Sequence, residues 1–241
     1  MSYSERIVPD EVPAGILALH LKRYEFARVW SADAEVLDAG CGAGYGSALL
    51  AQTAERVVGV DWSPDALAYA RAHYGAPNLE FVQADVLALP FRDASFDVVC
   101  AFETIEHTDD EQALLREVAR VLRPSGAFIV STPRADRTTR EPKNPFHRVE
   151  WSVVDFERLL EEHFDRVDLY GQRRLQTRRH RLLQRLDIVG LRRRLKPGRT
   201  TTRILGTAPT AEVGVDGIVI ERERLERASE LVAVCTRPRR A

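Results

Sequence analysis

The segment Asp38-Ala-Gly-Cys-Gly-Ala-Gly44 places three glycines at alternate positions between a short apolar segment, residues 35–38, and a helical pattern at residues 45–54. Glycines at this spacing let the backbone turn sharply out of a strand and approach a ligand closely, because no side chain intervenes. The pattern therefore predicts a strand, a ligand-binding turn and a helix in direct succession. The same geometry serves dinucleotides, so the turn alone leaves an oxidoreductase as an alternative.

The rest of the chain repeats this alternation of short apolar segments, rich in Val, Ile and Phe, with longer segments of helical period. Such alternation is typical of an α/β fold, in which helices cover both faces of a mostly parallel sheet. We predict a single domain over residues 1–241, with an N-terminal lid helix within residues 1–30 and an insertion at 172–225 before the last strand. The seven predicted strands lie at residues 35–38, 56–60, 79–83, 96–101, 127–131, 166–170 and 231–235.

Charge and hydropathy narrow the classes of partner. The chain has 35 basic and 36 acidic residues, which leave a formal net charge of -1, so no overall field draws it to nucleic acid or membrane. No apolar run approaches the roughly 18 to 20 residues that span a bilayer, and the first residues lack an apolar signal core. The three cysteines are scattered singly. We therefore expect a cytoplasmic protein with reduced cysteines.

Acidic residues follow the glycine turn at the ends of the next two predicted strands. Asp61 ends the second strand at about the 20-residue offset where a carboxylate can accept both ribose hydroxyls. Asp85 and Val86 follow the third strand and offer a carboxylate and backbone groups to an adenine amine. The carboxyl ends of parallel strands form the ligand-binding edge in open α/β sheets. These residues predict an adenosine-type cofactor at that edge.

The segments VLDAGCGAGYG, VVGVDWSP, FVQADVLALPF, FDVVCAFETIEH and LREVARVLRPSGAFIVSTP, in this order, resemble the class I S-adenosylmethionine (SAM) dependent methyltransferases over residues 35–135. The resemblance implies a Rossmann-like sheet of seven strands, one of them antiparallel, with SAM across the ends of the first four. It also implies that glycines lie under the methionine part, Asp61 holds the ribose, Trp62 stacks on adenine and Asp85 binds the adenine amino group. The residues assigned to the cofactor are Tyr24, Asp38, Gly40, Gly42, Asp61, Trp62, Asp85, Val86 and Glu103.

The N-terminal helix offers a further contact to the cofactor. Tyr24 lies one helical turn beyond His20, on the same face, with Arg23 beside it. In this superfamily such a helix often closes over SAM. The alternative is an ordinary covering helix whose polar residues face solvent.

The segment after the fourth predicted strand, Glu103-Thr-Ile-Glu106-His107, carries three side chains that can bind a metal or move a proton. Their spacing predicts one shared helical face where the methyl acceptor should lie. About 40 residues later follows His147-Arg-Val-Glu-Trp151. This pairing resembles the metal-dependent small-RNA 3′-terminal 2′-O-methyltransferases, and its first half resembles the ubiquinone-biosynthesis O-methyltransferases. The resemblance implies that catalysis and metal binding fall to Glu103, Glu106, His107 and His147.

Two histidines favour manganese, cobalt or zinc, and magnesium stays an alternative. Two further interpretations remain: His107 alone acts as the base without a metal, or the cluster is purely structural. The leading functional hypothesis is SAM-dependent O-methylation of a small molecule such as a sugar, phenol or natural-product intermediate. The alternatives are 2′-O-methylation of RNA, N-methylation of a small molecule with His107 as base, and a SAM-binding regulatory protein.

A basic amphipathic segment lies between the last two predicted strands. Residues 173–199 contain ten arginines and one lysine against one acidic residue, interleaved with leucines. Such a segment can lie on an anionic membrane surface, hold a phosphorylated substrate or contact RNA phosphates. Few aromatic residues accompany it, which disfavours RNA. We favour a flap over the substrate site.

Overall fold

The computed structural model describes residues 7–175 and 214–239. Within these ranges the chain forms helices and strands in alternation, as the sequence pattern predicts. The helices are α1 (Ala14–Ser31), α2 (Tyr45–Leu50), α3 (Pro64–His73), α4 (Glu111–Val121) and α5 (Val153–Glu161). The strands are β1 (Glu35–Ala39), β2 (Arg56–Asp61), β3 (Leu79–Gln83), β4 (Phe96–Phe102), β5 (Leu122–Pro133), β6 (Phe164–Arg174), β7 (Ile218–Glu221) and β8 (Glu230–Pro238).

The strands form one sheet in the order β3-β2-β1-β4-β5-β8-β6-β7. The pairs from β3 to β5 are parallel, whereas β8 is antiparallel to both of its neighbours and β7 is antiparallel to β6. The α/β class with a mostly parallel sheet is confirmed. The carboxyl ends of β1 to β5 lie at one edge, which is where ligands bind in sheets of this kind.

The predicted number of seven strands, with one antiparallel, is wrong: the described residues form eight strands, and two of them run against the rest. The additional strand, β7, lies within the stretch 172–225 that the sequence assigns to an insertion. It is only four residues long, and it pairs with residues 171–174, where β6 continues beyond its predicted end. The residues at the end of β6 are polar, so the sequence pattern did not indicate a strand there. A pair of strands at the edge of a sheet can carry polar side chains that a central strand would exclude.

The hydrophobic core fills both faces of the sheet. Neighbouring residues of β1 point to opposite sides, so Leu37 packs in one cluster and Val36 in the other. The first cluster buries α4 and α5, and the second buries α1 and α2. Each fully buried Leu, Val or Phe contributes about 1.5–3 kcal/mol to folding. Burial on both faces holds the strand ends, and therefore the site, in place.

Helix α1 covers the second face of the sheet beside α2 and contacts β4 and β7. It begins directly after Pro13, close to its predicted start. The interpretation that its polar residues face solvent is wrong for Arg23 and Tyr24, which are both buried. Their burial points them into the sheet edge instead.

Among the residues described, no helix combines the length and apolar character needed to cross a membrane. The basic segment 173–199 was predicted as a flap or a membrane contact. Residues 173–175 belong to the end of β6 and the residue after it, and the remainder of that segment lies outside the described residues.

Candidate active site

The glycine turn leaves β1 with three left-handed backbone conformations, at Gly40 (φ 82°), Gly42 (φ 54°) and Gly44 (φ 82°). An L side chain rarely adopts these angles. A Cβ atom at Gly40 would also lie 2.3 Å from the hydroxyl oxygen of Thr104. The backbone N–H of Gly40 donates to the carbonyl of Val60 at 2.8 Å, which fixes the turn against β2. The turn therefore requires glycine for conformation and for space.

The carboxylate of Asp38, at the end of β1, is completely buried beneath this turn. Ser47 donates a hydrogen bond to its Oδ2 at 2.6 Å, and the Tyr24 hydroxyl donates to its Oδ1 at 3.2 Å. Burial raises the pKa of Asp38 to about 6, against the effect of these two hydrogen bonds. Burial and the neighbouring Asp38 raise the pKa of Tyr24 as well. Tyr24 thus connects α1 to the end of β1.

Asp61 ends β2 and is held by two backbone groups. The N–H of Gly42 donates to Oδ2 and the N–H of Ser63 donates to Oδ1, both at 2.9 Å. These bonds tie the glycine turn to the end of the next strand. The neighbouring Trp62 leaves 78% of its surface exposed, as an indole that stacks on a flat ligand would do.

Asp85 and Val86 lie in the turn after β3, at the same edge of the sheet. Asp85 is exposed, and its Oδ1 accepts a hydrogen bond from the N–H of Leu87 at 2.9 Å. Val86 is partly buried against the core. The structure therefore brings the acidic residues after β1, β2 and β3 to one edge, as predicted.

Glu103 follows β4 at that edge, but in a conformation that the sequence did not predict. Its φ is 49°, and the adjoining helical segment is a single 3₁₀ turn at residues 105–107, so the predicted helical face through Glu103 is wrong. Its carboxylate accepts a hydrogen bond from the Ser131 hydroxyl at 2.6 Å, and its backbone N–H donates to the Ser131 carbonyl at 3.2 Å. A strained backbone of this kind persists only where the surroundings hold it, and such positions cluster at functional sites.

Arg23 of α1 reaches the same place from the other side and is only 1% exposed. Its Nη1 lies 3.8 Å from a carboxylate oxygen of Glu103 and 3.4 Å from the side-chain oxygen of Gln172. Its Nη2 is 3.0 Å from Nδ1 of His20, and burial together with Arg23 lowers the pKa of that histidine. The contacts of Ser131 and Gln172 were not predicted. Ser131 is a polar residue at the end of a predicted strand, and Gln172 lies two residues beyond the end of another.

Glu106, His107 and His147 form a separate group whose ligand atoms all lie within 4.8 Å of one another. The two imidazole rings are in edge contact, with centroids 5.0 Å apart. Glu106 is fully buried, the Thr132 side chain lies near its carboxylate, and no described residue makes a hydrogen bond of normal geometry to either carboxylate oxygen. Burial raises the pKa of Glu106, and the negative charge of Glu103 adds to this effect. Glu103 itself is not part of the group, so only three of the four predicted metal ligands come together.

The two histidines of this group are oriented by the loop after β5. The carbonyl oxygen of Phe146 lies 3.0 Å from Nδ1 of His107. Nδ1 of His147 lies 2.8 Å from the Glu150 carboxylate, and its Nε2 lies 2.9 Å from the Asn144 amide nitrogen. Contacts of this type fix the tautomer and the ring orientation of histidines that bind metals or move protons.

The family model described as "Methyltransferase domain" matches residues 37–130, from the glycine turn to β5. This stretch contains the turn, the three acidic strand ends, Glu106 and His107, whereas His147 lies beyond it. This part of the chain is a methyltransferase domain.

Curated relatives of this methyltransferase domain agree with the assignment. The chain is 40% identical over 162 residues to a protein of Mycobacterium tuberculosis named "Probable S-adenosylmethionine-dependent methyltransferase", over 65% of this chain and 58% of the relative. It is 35% identical over 142 residues to the fatty-acid O-methyltransferase of Mycolicibacterium smegmatis, over 55% of this chain and 52% of the relative. The chain therefore spans about half the length of the curated relatives it matches.

The methyltransferase fold itself is shared with solved structures over nearly the whole chain. A SAM-dependent methyltransferase of Thermotoga maritima superposes with a TM-score of 0.63 at 16% identity, over 92% of both chains. At this level of identity the match concerns the fold. The carboxyl edge of the sheet has two parts: the glycine turn with the acidic residues at the ends of β1 to β3, and the Glu106 group after β4 and β5.

Proposed function

We propose that this protein transfers the methyl group of SAM to an oxygen atom of a small-molecule acceptor, with a divalent metal bound by Glu106, His107 and His147. The methyltransferase domain supplies the donor. The finer assignment to oxygen is supported by a relative whose name describes an O-methyltransferase. The observation that carries the proposal is the Glu106 carboxylate, which is buried beside two histidines without a hydrogen bond of normal geometry from any described residue.

On the donor side, the proposal gives the cofactor to the residues at the ends of β1 to β3. Gly40 and Gly42 would lie under the methionine part, where a side chain would block the approach. Asp61 would accept the ribose hydroxyls, the exposed Trp62 would stack on adenine, and Asp85 would accept the adenine amine. Methyl transfer is an in-line displacement, so these contacts act mainly by aligning the donor.

On the acceptor side, the donor set fits a metal. A buried carboxylate without a partner costs several kcal/mol, and binding a cation offsets that cost. Two imidazoles with one carboxylate favour a borderline ion such as manganese, cobalt or zinc. Such an ion, when bound, lowers the pKa of an acceptor hydroxyl and orients it. Phe146 would hold the His107 imidazole and Glu150 the His147 imidazole, each through Nδ1, and the metal would replace the Asn144 amide at Nε2 of His147.

A metal-free reaction with His107 as base is the second candidate. The observation in its favour is the contact between Nδ1 of His107 and the Phe146 carbonyl, since a proton on Nδ1 leaves Nε2 to accept the acceptor's proton. Transfer to nitrogen would use the same arrangement. The exclusion of Glu103 from the three-residue group departs from the four-ligand pattern that the resemblance to small-RNA methyltransferases implied.

The two candidates are separated by a methyl-transfer assay over sugars, phenols and carboxylic acids, with and without a chelator. We expect chelation and His147→Ala each to lower the rate about 10- to 100-fold, the range typical of damaged metal sites. His73→Ala, a histidine on α3 outside the group, is the matched control and should keep the wild-type rate. Metal content after gel filtration gives an independent measure, with bound metal expected in wild type and lost in His147→Ala.

An unchanged rate under chelation, together with an unchanged rate in His147→Ala, would refute the metal. Loss of activity in His107→Ala alone would then assign the base to His107. Failure of the wild-type protein to bind S-adenosylhomocysteine in calorimetry would refute the proposal as a whole.

A further inference from the structure

A cavity of about 630 Å³ opens between the end of β6, the segment before β8 and Leu19 of α1. Four arginines line it, Arg173 and Arg174 at the end of β6 and Arg224 and Arg227 in the segment between β7 and β8. Leu19 of α1 and Glu230 at the start of β8 also line it. The volume lies in the range of about 300–1,000 Å³ that small-molecule sites occupy.

The cavity is joined to the methyltransferase site through a few contacts. The Gln172 side chain donates to the backbone carbonyl of Leu19 at 3.0 Å and also lies against Arg23. Glu230 is paired in register with Pro133 at the carboxyl end of β5 and with Gln172 of β6. A molecule in this cavity would therefore lie at the edge where the donor and the Glu106 group are found.

The charge of the cavity wall is positive. Glu221 already binds the Arg173 guanidinium at 2.7 Å, so this arginine is compensated. The approach of Arg227 to Glu226 is longer, 3.7 Å, and both side chains are about 70% exposed, so solvent screens the pair strongly. Among the described residues that line the cavity, Glu230 is the one acidic residue, and its carboxylate accepts a hydrogen bond from Ser229 at 2.7 Å. The described lining thus carries four arginines and one carboxylate.

The backbone also directs these arginines. Arg224 has a φ of 61°, in the left-handed region, where a residue other than glycine is strained. The segment after it is clamped between two strands, because the Arg134 backbone N–H donates to the carbonyl of Ser229 and the Ser229 N–H donates to that of Gln172, both at 3.0 Å. A segment fixed in this way presents its arginines to the cavity at a defined place.

We propose that this cavity is the acceptor site and that the acceptor carries a phosphate or carboxylate group held by its arginines. The inference rests on the proposed function and adds the substrate class to it. Guanidinium groups bind both oxyanions through paired charge-assisted hydrogen bonds. The cavity volume of about 630 Å³ suits a small molecule, which favours an anionic metabolite over a nucleic acid or a membrane surface.

The test uses calorimetric titration of the full-length protein with phenyl phosphate, benzoate and the neutral benzyl alcohol, each with and without S-adenosylhomocysteine. We expect at least one of the two anions to bind about tenfold or more tightly than benzyl alcohol, with an affinity that falls as salt is added. The probe that binds more tightly shows whether the site prefers a phosphate or a carboxylate group.

Arg224→Gln combined with Arg227→Gln should weaken anion binding about tenfold or more, and the charge reversals Arg224→Glu and Arg227→Glu should weaken it further. The matched control is Arg92→Gln, an exposed arginine before the amino end of β4, which should bind as wild type does. S-adenosylhomocysteine should bind equally to all of these variants.

Equal anion binding by wild type and by the double variant would overturn the inference, even where S-adenosylhomocysteine binds normally. Tighter competition by a single-stranded RNA oligonucleotide than by either anion, or by anionic vesicles, would overturn the assignment to a small molecule. If S-adenosylhomocysteine fails to bind, the proposed function is refuted. Loss of anion binding in the double variant would in that case still place the anion site in this cavity.

Discussion

The Asp38 carboxylate should make the stability of this protein decrease as the pH rises from acid to neutral. Burial raises the pKa of Asp38 from its ordinary value of 3.8 to about 6. Between these values the folded protein keeps a proton that the unfolded chain has released, so the free energy of unfolding falls as pH increases. This rise in pKa corresponds to a loss of roughly 3 kcal/mol in the free energy of unfolding. The loss is absent below the pKa of Asp38 in the unfolded chain and complete above about pH 6.

Asp38→Asn isolates this effect, because the amide does not ionise and retains an oxygen that can accept the hydrogen bond from Ser47. Denaturant unfolding of both proteins at several values between about pH 4 and pH 7 gives the difference in their unfolding free energies. We expect the variant to gain on wild type by up to about 3 kcal/mol over this interval. Other acidic groups contribute equally to both proteins and cancel. A difference that stays constant with pH would refute the reasoning.

Two further substitutions test the packing around the site. Gly46→Ala should destabilise the protein by about 1–3 kcal/mol in thermal unfolding, because a Cβ there would lie 1.9 Å from the Tyr24 ring, whereas Gly75→Ala, with open space around it, should have little effect. Arg120→Ala should cost about 1–3 kcal/mol and speed hydrogen exchange at the Leu89 amide. The Leu89 N–H donates to the Glu117 carboxylate at 2.7 Å, and the Arg120 guanidinium holds that carboxylate at 2.8 Å and the Leu89 carbonyl at 3.0 Å. Unchanged exchange at Leu89 would contradict this role.

The parts of the fold that the sequence predicted correctly are those in which local pattern and long-range packing agree. Central strands buried on both faces read as continuous apolar segments, and Ser63 before Pro64 marked the start of α3, where the structure shows the serine capping the helix. Strand β7 was missed because four residues carry too little pattern. Its existence depends on pairing with residues 171–174, which are distant in sequence.

The candidate site, like the fold, has a part that the sequence predicted and a part that it did not. The acidic residues after β1, β2 and β3 could be placed at one edge because the direction of parallel strands fixes where each ends. Residue spacing alone predicted a helical face through Glu103, and this prediction is wrong. The backbone has a φ of 49° at Glu103 and forms only one 3₁₀ turn after it. The partnership of Glu103 with Ser131 and Arg23 joins three separate elements, and no local pattern contains it.

These contacts give α1 a role in both halves of the site. Its neighbouring residues Arg23 and Tyr24 point to different strand ends, Tyr24 to Asp38 at the end of β1 and Arg23 to Glu103 after β4. The side chains are buried, so neither contact can break without exposing or displacing the other. A movement of α1 would therefore alter the proposed donor site and the proposed acceptor site together. For this reason the Gly46→Ala substitution, which displaces the Tyr24 ring, should weaken binding of S-adenosylhomocysteine and of the anionic probe in parallel.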